Sequence, residues 1–388
     1  MNIKKKIAFV MPWHISEQGG GAEVQANYLA MELTNRGNNV FYICQTNNQN
    51  KINSLEKISG VAIYWLKPSV RFPWFDQSKY DKLLNMIKPE IVIQRMSSNV
   101  NYVIGQYCKK NKAVYTWICT DNLNPYKNFH VKKFKAKFSL KTISFFKYII
   151  FLLNAKIMDY YRNRGIKYVD CGFSQNEFQK LLIKSNFEIS THQMISGHPF
   201  PLENLSSKKR FSFKTVLWCA NFGSHKRPEL FIELAKRMQH TDLNFVMVGG
   251  HSDKDYVASL LKDKPSNLHC TGQLSFKESL EFFDKSTLLI NTSVSEGFSN
   301  TYIQSWLRGM PVMVFGADPD AIIEQNNLGF NVTSLDEAFK KVIYMFSDYE
   351  VYKVLSENAY AYGCKNHSIK KMTDNFINTI EDEGITLS

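Results

Sequence analysis

The chain has 388 residues, 44% hydrophobic and 21% charged, which excludes a disordered or collagen-like chain and leaves core enough for two domains. Its formal charge of +13 is uneven: residues 1–200 carry 28 Lys and Arg against 12 Asp and Glu, while residues 201–388 carry 20 against 23. The seven cysteines are scattered, with no CxxC pair and no zinc spacing; this excludes a disulfide scaffold and reads as reduced core thiols in a cytosolic protein.

From the amino end, IKKKIAFVMPW reads as a first strand, because its apolar run is stopped at Pro12 and is too short for a leader. HISEQGGG follows as a glycine loop. From Ala22 apolar residues recur at helical spacing (Val24, Tyr28, Leu29, Met31, Leu33), and Gly37 is placed to cap that helix. NVFYIC, PEIVIQRM, KAVYTWIC and KYVDCGFS read as further parallel strands, with a helix opening near Gln175. No apolar stretch reaches the roughly 18 residues of a membrane span.

The polar run Glu203–Lys214 reads as a linker, after which the plan repeats. TVLWCAN is a strand, FGSHKR its loop, and PELFIELAKRM a helix with Pro228 at the favoured first position. NFVMVGG, NLHCTGQ, TLLINTS and PVMVF supply more strands. The expectation is an α/β fold of two doubly wound, Rossmann-like domains, over 1–205 and 206–369, facing each other across a cleft.

The segment SEGFSNTYIQSWLRGMPVMVF joins two of these strands. Tyr302, Ile303, Trp306 and Leu307 stand at helical spacing, Gly309 follows their helix, and Pro311 opens the next strand. TSVSEGF is then a strand-to-helix loop, in which Gly297 allows a close backbone approach or a positive φ. Amides around Ser299, Asn300 and Thr301 lie at a helix N-terminus, where an anion is favoured. Glu296 in the same loop would repel a phosphate but accept hydrogen bonds from hydroxyls. Donors for phosphate beside acceptors for hydroxyls suit a nucleotide-sugar. The same residues also fit a solvated glutamate beside a plain glycine turn.

This segment resembles the signature of glycosyltransferase family 4, retaining sugar transferases of GT-B fold. Glu296, Gly297, Phe298, Gly309, Pro311 and Val312 match it. Gln304 stands where the family has a second glutamate that holds the nucleotide ribose; an amide oxygen accepts a hydroxyl, but without charge. GGGAEVQANYLAMELTNRGNNV is similar to the family's first helix, which implies that Gly20 and Gly21 lie beneath the donor diphosphate or near the acceptor. WCANFGSHKRPELFIELAKRM is similar to the diphosphate clamp. Lys226 takes its lysine place and Asn221 its arginine place, with Arg227 adjacent as a cation that would have to swing round to compensate. VMVGG and LHCTGQLSF resemble the base-contacting segment, with Gly249, Gly272 and Gln273 nearest the base. The resemblance further implies that the N-terminal domain binds the acceptor and is completed by the last helix, about 370–388.

What the resemblance implies for chemistry is transfer of a sugar from a nucleoside-diphosphate sugar to a hydroxyl of a glycan or lipid-linked acceptor, as in cell-surface polysaccharide synthesis. No cofactor or metal is then required, and no Asp-x-Asp pair is placed for one. The family's sugar-contacting histidine is absent from YTWICTDNLNPY. Asp121 is the candidate there, its other reading being a turn. His14 either reaches the cleft or is structural, and His198 reads as packing. The segment 127–167 has 11 Lys and Arg against one acid, Asp159, with an apolar core too short to span a bilayer. It reads either as a buried helix with a basic face or as a helix lying on an anionic membrane surface, which would make the protein peripheral on the inner face of the cell membrane. No nucleic-acid motif is present. A non-catalytic relative, suggested by Gln304 and Asn221, and a sugar-nucleotide epimerase of the same fold remain as alternatives.

Overall fold

The structure, a computed structural model, describes residues 4–17, 19–68, 73–138, 143–251 and 253–385. Residues 139–142 of the basic segment and Gln18 of the first glycine loop lie outside the described residues. The chain divides into two compact units, Met1–Ile195 with Ile369–Ser388, and Ser196–Ser368.

The first unit is an eight-stranded sheet of β1 (Lys6–Trp13), β2 (Asn39–Gln45), β3 (Leu55–Ile58), β4 (Val61–Leu66), β5 (Ile91–Arg95), β6 (Val114–Ile118), β7 (Cys171–Ser174) and β8 (Thr191–Gln193), in the order β3-β4-β2-β1-β5-β6-β7-β8. Among the described residues only β3 runs antiparallel to its neighbour. Period-two alternation puts both faces of β1 into core: Ile7, Phe9 and Met11 join one cluster, Ala8 and Val10 another. The first helix, Gly21–Asn35, ends as its sequence indicates. Gly37 takes φ +95°, and the Gly37 and Asn38 amides bond back to Thr34 and Leu33. The last helix, Ile369–Asp382, buries Met372, Phe376 and Ile380 in the core of this unit, with Phe376 stacked on Phe173 at 5.4 Å.

The second unit is a six-stranded parallel sheet of β9 (Thr215–Cys219), β10 (Asn244–Val248), β11 (Leu268–Gly272), β12 (Leu288–Asn291), β13 (Val312–Val314) and β14 (Gly329–Asn331), ordered β11-β10-β9-β12-β13-β14. The expected linker is part of this unit. Ser206 caps a short helix, Ser207–Phe211, whose Arg210 is buried and donates to the Phe283 and Ser286 carbonyls at 3.0 and 2.8 Å. The units part earlier, at Ile195–Ser196, because His198 already pairs with Ser368 and its N–H donates to His367 O at 2.9 Å.

His198 and His367 are both buried. Burial pulls His198 down to about 3 and His367 to about 4, against the opposing Nδ1 bond from His367 to the Ser196 carbonyl. Both rings are therefore neutral in the fold. Below about pH 6.5 the unfolded chain takes up protons that the folded one refuses, so stability is full above that pH and falls as the pH drops toward 4. His367 alone is expected to account for roughly 3 kcal/mol of this loss. Urea titrations at pH 7.5, 5.5 and 4.5 check it: the transition of the second unit should weaken with acid, and His367→Phe should flatten that dependence. An unchanged slope in the variant would contradict the assignment.

Candidate active site

In the second unit the chain passes from β9 outward through β10 and β11, then returns to β12 on the other side of β9. The carboxyl ends of β9 and β12 are thus the point where strand order reverses, the place where doubly wound sheets hold ligands. The loops that leave these two strands carry Lys226 and Glu296. They are stitched together by backbone: Val294 N–H donates to His225 O at 2.8 Å, and Thr292 Oγ1 donates to Lys226 O at 2.5 Å.

Lys226 and Glu296 meet. Lys226 Nζ lies 2.6 Å from Glu296 Oε1, and the same oxygen accepts from Ser293 Oγ at 2.6 Å and Asn291 Nδ2 at 3.2 Å. The two side chains are only 21% and 14% exposed. Burial by itself would push the Glu296 carboxyl up, but the Lys226 charge and these three hydrogen bonds outweigh it and hold the group below its ordinary value. Glu296 is an ionised acceptor held by neighbouring side chains rather than a solvated loop residue. Phe298 anchors its loop from behind, against His367 at 5.2 Å and Trp306 at 6.1 Å.

Arg227 does not swing round to serve as a second cation. It turns the chain with φ +46°, and its guanidinium donates to the carbonyls of Thr292 (2.6 Å), Ser293 (3.0 Å) and Phe315 (2.8 Å). Asn221 is exposed at the end of β9. Beside it, Gly249 N–H bonds Gly272 O and Phe222 N–H bonds Gly250 O, so Asn221, Gly249, Gly272 and Gln273 fall on one edge of three adjacent strands. Gly249 is required there: at φ +138° an added Cβ would lie 1.8 Å from Ala220 O.

The helix after Glu296 is shorter than its spacing indicates, Asn300–Trp306. Seven residues give little macrodipole, and the Ser299 and Thr301 hydroxyls bond each other at 2.8 Å, so an anion site on that helix end alone is not what the structure offers. Gln304 is buried on it, and its side-chain amide makes no hydrogen bond among the described residues.

In the first unit, His14 is buried at the end of β1, edge-on to Tyr42 and Trp65, with Nδ1 2.9 Å from Ser16 Oγ. Burial lowers its pKa, and its role in the fold is packing. Asp121 closes a turn: Oδ1 accepts the Leu123 and Asn124 amides at 2.9 and 2.8 Å, and Oδ2 lies 3.7 Å from Lys133. Gly20 caps the first helix in extended conformation, Gly21 begins it, and Glu23 folds back so that a Cβ at Gly20 would meet its carboxylate at 2.5 Å.

Residues unforeseen in the sequence surround this first unit's own reversal point, between β1 and β5. A cavity of about 170 Å³ there is lined by Pro12, Asp76, Tyr80, Arg95, Ser98 and Asn99, among others. Arg95 is 1% exposed, its Nε and Nη1 have no hydrogen-bond partner among the described residues, and burial pulls it down to about 10. The next residue, Met96, holds φ +106°, a strained value for a side-chain-bearing residue. The signal was an arginine and the polar run SSN closing an otherwise apolar strand. In the second unit the missed residues are Asn291 and Ser293, the polar end of TLLINTS.

Comparison with known proteins agrees with this geometry. Residues 213–348, all within the second unit, match the family described as glycosyl transferases group 1. No curated protein sequence matches the chain. Among solved structures, Anabaena HepE in complex with UDP and glucose superposes with a TM-score of 0.69 at 14% identity, over 97% of this chain and 100% of that one. Sucrose-phosphate synthase from Thermosynechococcus elongatus gives 0.73 at 11%, over 98% and 99%. A glycosyltransferase from Rickettsia africae gives 0.69 at 17%, over 98% of each. The two-unit α/β architecture is the GT-B fold of these structures.

The geometry separates Arg227, tied into the fold by three carbonyls, from Asn221 at the surface. Arg227→Met leaves three carbonyls without donors and should lower the stability of the ligand-free protein by about 2–3 kcal/mol. Asn221→Ala, at an exposed position, should stay within about 0.5 kcal/mol. Denaturant midpoints measure both; equal effects would contradict the structural assignment of Arg227.

Proposed function

We propose that the protein is a retaining glycosyltransferase that moves a sugar from a nucleoside-diphosphate sugar to a hydroxyl of a glycan or lipid-linked acceptor, in the synthesis of a cell-surface polysaccharide. The observation that carries this is the Lys226–Glu296 pair at the strand reversal of a glycosyl transferases group 1 domain. Lys226 would leave Glu296 for the donor diphosphate and stabilise the charge that builds as the sugar departs. Glu296, still held by Asn291 and Ser293, would accept sugar hydroxyls. The bond from the anomeric carbon to the diphosphate oxygen breaks, the acceptor oxygen bonds that carbon on the same face, and the leaving oxygen takes the acceptor proton. Gln304 would receive the ribose, and the edge at Gly249, Gly272 and Gln273 the base. The cavity beside Arg95 in the first unit is the acceptor's place in this reading. The reading puts the protein in the cytoplasm, peripheral on the inner face of the cell membrane, and requires no cofactor.

A second reading, a weakened relative that binds without transferring, is favoured by the exposed Asn221 and by the commitment of Arg227 to backbone carbonyls. Both are tested by thermal unfolding against a panel of UDP-, GDP-, ADP- and CMP-sugars. One donor should raise the melting point of the wild type, since a ligand of the folded state alone must stabilise it. The shift should vanish in Lys226→Ala and Glu296→Ala. No shift at millimolar concentration would overturn the donor site, and a shift without any transferred product would favour the second reading.

A further inference from the structure

Two helices of the first unit are preceded by residue types that ordinarily cap a helix, and neither side chain caps. Asp76 stands before the helix Gln77–Ile87 and Asn99 before the helix Val100–Asn111, with no cap hydrogen bond from either. Both residues instead line the cavity of about 170 Å³ where β1 and β5 reverse the strand order. Asp76 is only 5% exposed. Its Oδ1 lies 2.6 Å from Lys79 Nζ, and its Oδ2 has no hydrogen-bond partner among the described residues. A buried carboxylate oxygen without a donor is unfavourable in the fold alone, and a donor from outside the chain would satisfy it.

The rest of the lining indicates the kind of donor. Tyr80 Oη accepts from Gln45 Nε2 at 3.1 Å, which leaves its own proton to give. Gln94 commits its Oε1 to the Tyr115 hydroxyl and keeps its amide N–H groups. Asn99 commits Nδ2 to the Pro73 carbonyl at 2.9 Å and keeps its amide oxygen. These polar groups alternate with apolar wall from Val10, Pro12, Val100 and Met158. A sugar ring answers both parts of such a lining, with hydroxyls that donate and accept and C–H faces between them. The volume is below the roughly 300–1,000 Å³ of pockets for drug-sized ligands, so it suits one ring and not a chain.

Charge narrows the occupant further. Among the described residues Asp76 is the one acid in the lining, and no lysine joins it. Arg95 lines the cavity, but alternation along β5 sets it with Ile91 and Ile93 on the Tyr42 face of the sheet, while Gln94 follows Val92 on the Tyr80 face. The charges that act on its guanidinium are those of Tyr42, Glu23 and Cys119. The helix ends hold no free amide for an anion either. Val100 N–H donates to Ser98 Oγ at 3.2 Å, and the Asn101 and Tyr102 amides donate to the Ser98 and Asn99 carbonyls at 3.2 Å. The helix Gln77–Ile87 continues from the turn Pro73–Asp76 and already carries an acid at its positive end. A carboxylate or phosphate in this cavity would meet Asp76 without a cation to offset the repulsion.

We propose that the cavity takes one uncharged sugar ring, and that Asp76 sets this choice by accepting a ring hydroxyl and turning away a carboxylate or phosphate. This deepens the reading of the acceptor site, and rests on that reading for making the sugar the end unit of the acceptor.

Calorimetry on the full chain, without donor, tests it with the methyl glycosides of glucose, galactose and mannose and with their uronides and 6-phosphates. At least one neutral glycoside should bind, and its uronide and 6-phosphate should bind about tenfold more weakly or less. Asp76→Asn keeps the shape and removes the charge. It should weaken the neutral glycoside about tenfold and bring the uronide within about threefold of it. Tyr80→Phe should weaken every ligand and keep the discrimination. A melting point equal to that of the wild type confirms each variant's fold, and the wild type's own ranking decides if one variant fails to fold. No binding of any neutral glycoside at tens of millimolar, a uronide or phosphate preferred by the wild type, or a preference unchanged in Asp76→Asn would overturn the proposal. So would loss of glycoside binding in Glu296→Ala, which would move the sugar to the second unit. Donor-induced stabilisation read on the same preparation keeps the two conclusions apart: glycoside binding without it would leave this site standing and the transferase reading fallen, and the reverse result the opposite.

Discussion

The second unit is organised around a half-buried ion pair. Lys226 and Glu296 come from loops about 70 residues apart in sequence and share a single carboxylate oxygen at 2.6 Å. A pair this sheltered gains little net stability from its own attraction, because each ion gives up part of its hydration. Its value is positional. Asn291 and Ser293 donate to the same carboxylate oxygen, so the acid keeps partners of its own besides Lys226.

The rest of the unit holds that arrangement still. Arg227 ties three carbonyls of the facing loops together, Thr292 bridges Trp218 and the Lys226 carbonyl, and Phe298 is wedged against an aromatic cluster that includes His367 and Trp306. Gly249 lets β10 pass close enough to Ala220 for the three strand ends to form one edge. These contacts join protein groups to one another, so ordering of these loops is part of folding.

Much of the architecture was legible because it is written in short-range pattern. Alternating apolar runs marked the strands, and Gly37, Pro228 and Gly309 marked helix ends through conformations that only their residue types favour. Glu296 and Lys226 stood out in the sequence as candidates, but their pairing did not, since nothing in a linear pattern says where a long side chain points. The same limit explains the residues that fell elsewhere. Asp121 could serve a ligand or its own turn, and backbone amides two and three residues on claimed its Oδ1. Arg227 has the charge of a phosphate ligand, but a left-handed backbone turned it into the loop. Arg95 went unnoticed because it ends an apolar strand. Its significance lies in unpartnered donors, which only the folded environment reveals.

The central claim is that Glu296 holds Lys226 in reserve for a diphosphate while keeping its own oxygens for sugar hydroxyls. The most direct measurement is calorimetric affinity of wild type and Glu296→Gln for a nucleoside diphosphate and for the matching nucleotide-sugar. Removing the carboxylate charge frees Lys226 and lifts a repulsion, so the bare diphosphate should bind more tightly to the variant. The nucleotide-sugar should gain less or bind more weakly, because its hydroxyls lose an ionised acceptor. Equal weakening of both ligands, or no change in either, would contradict the account.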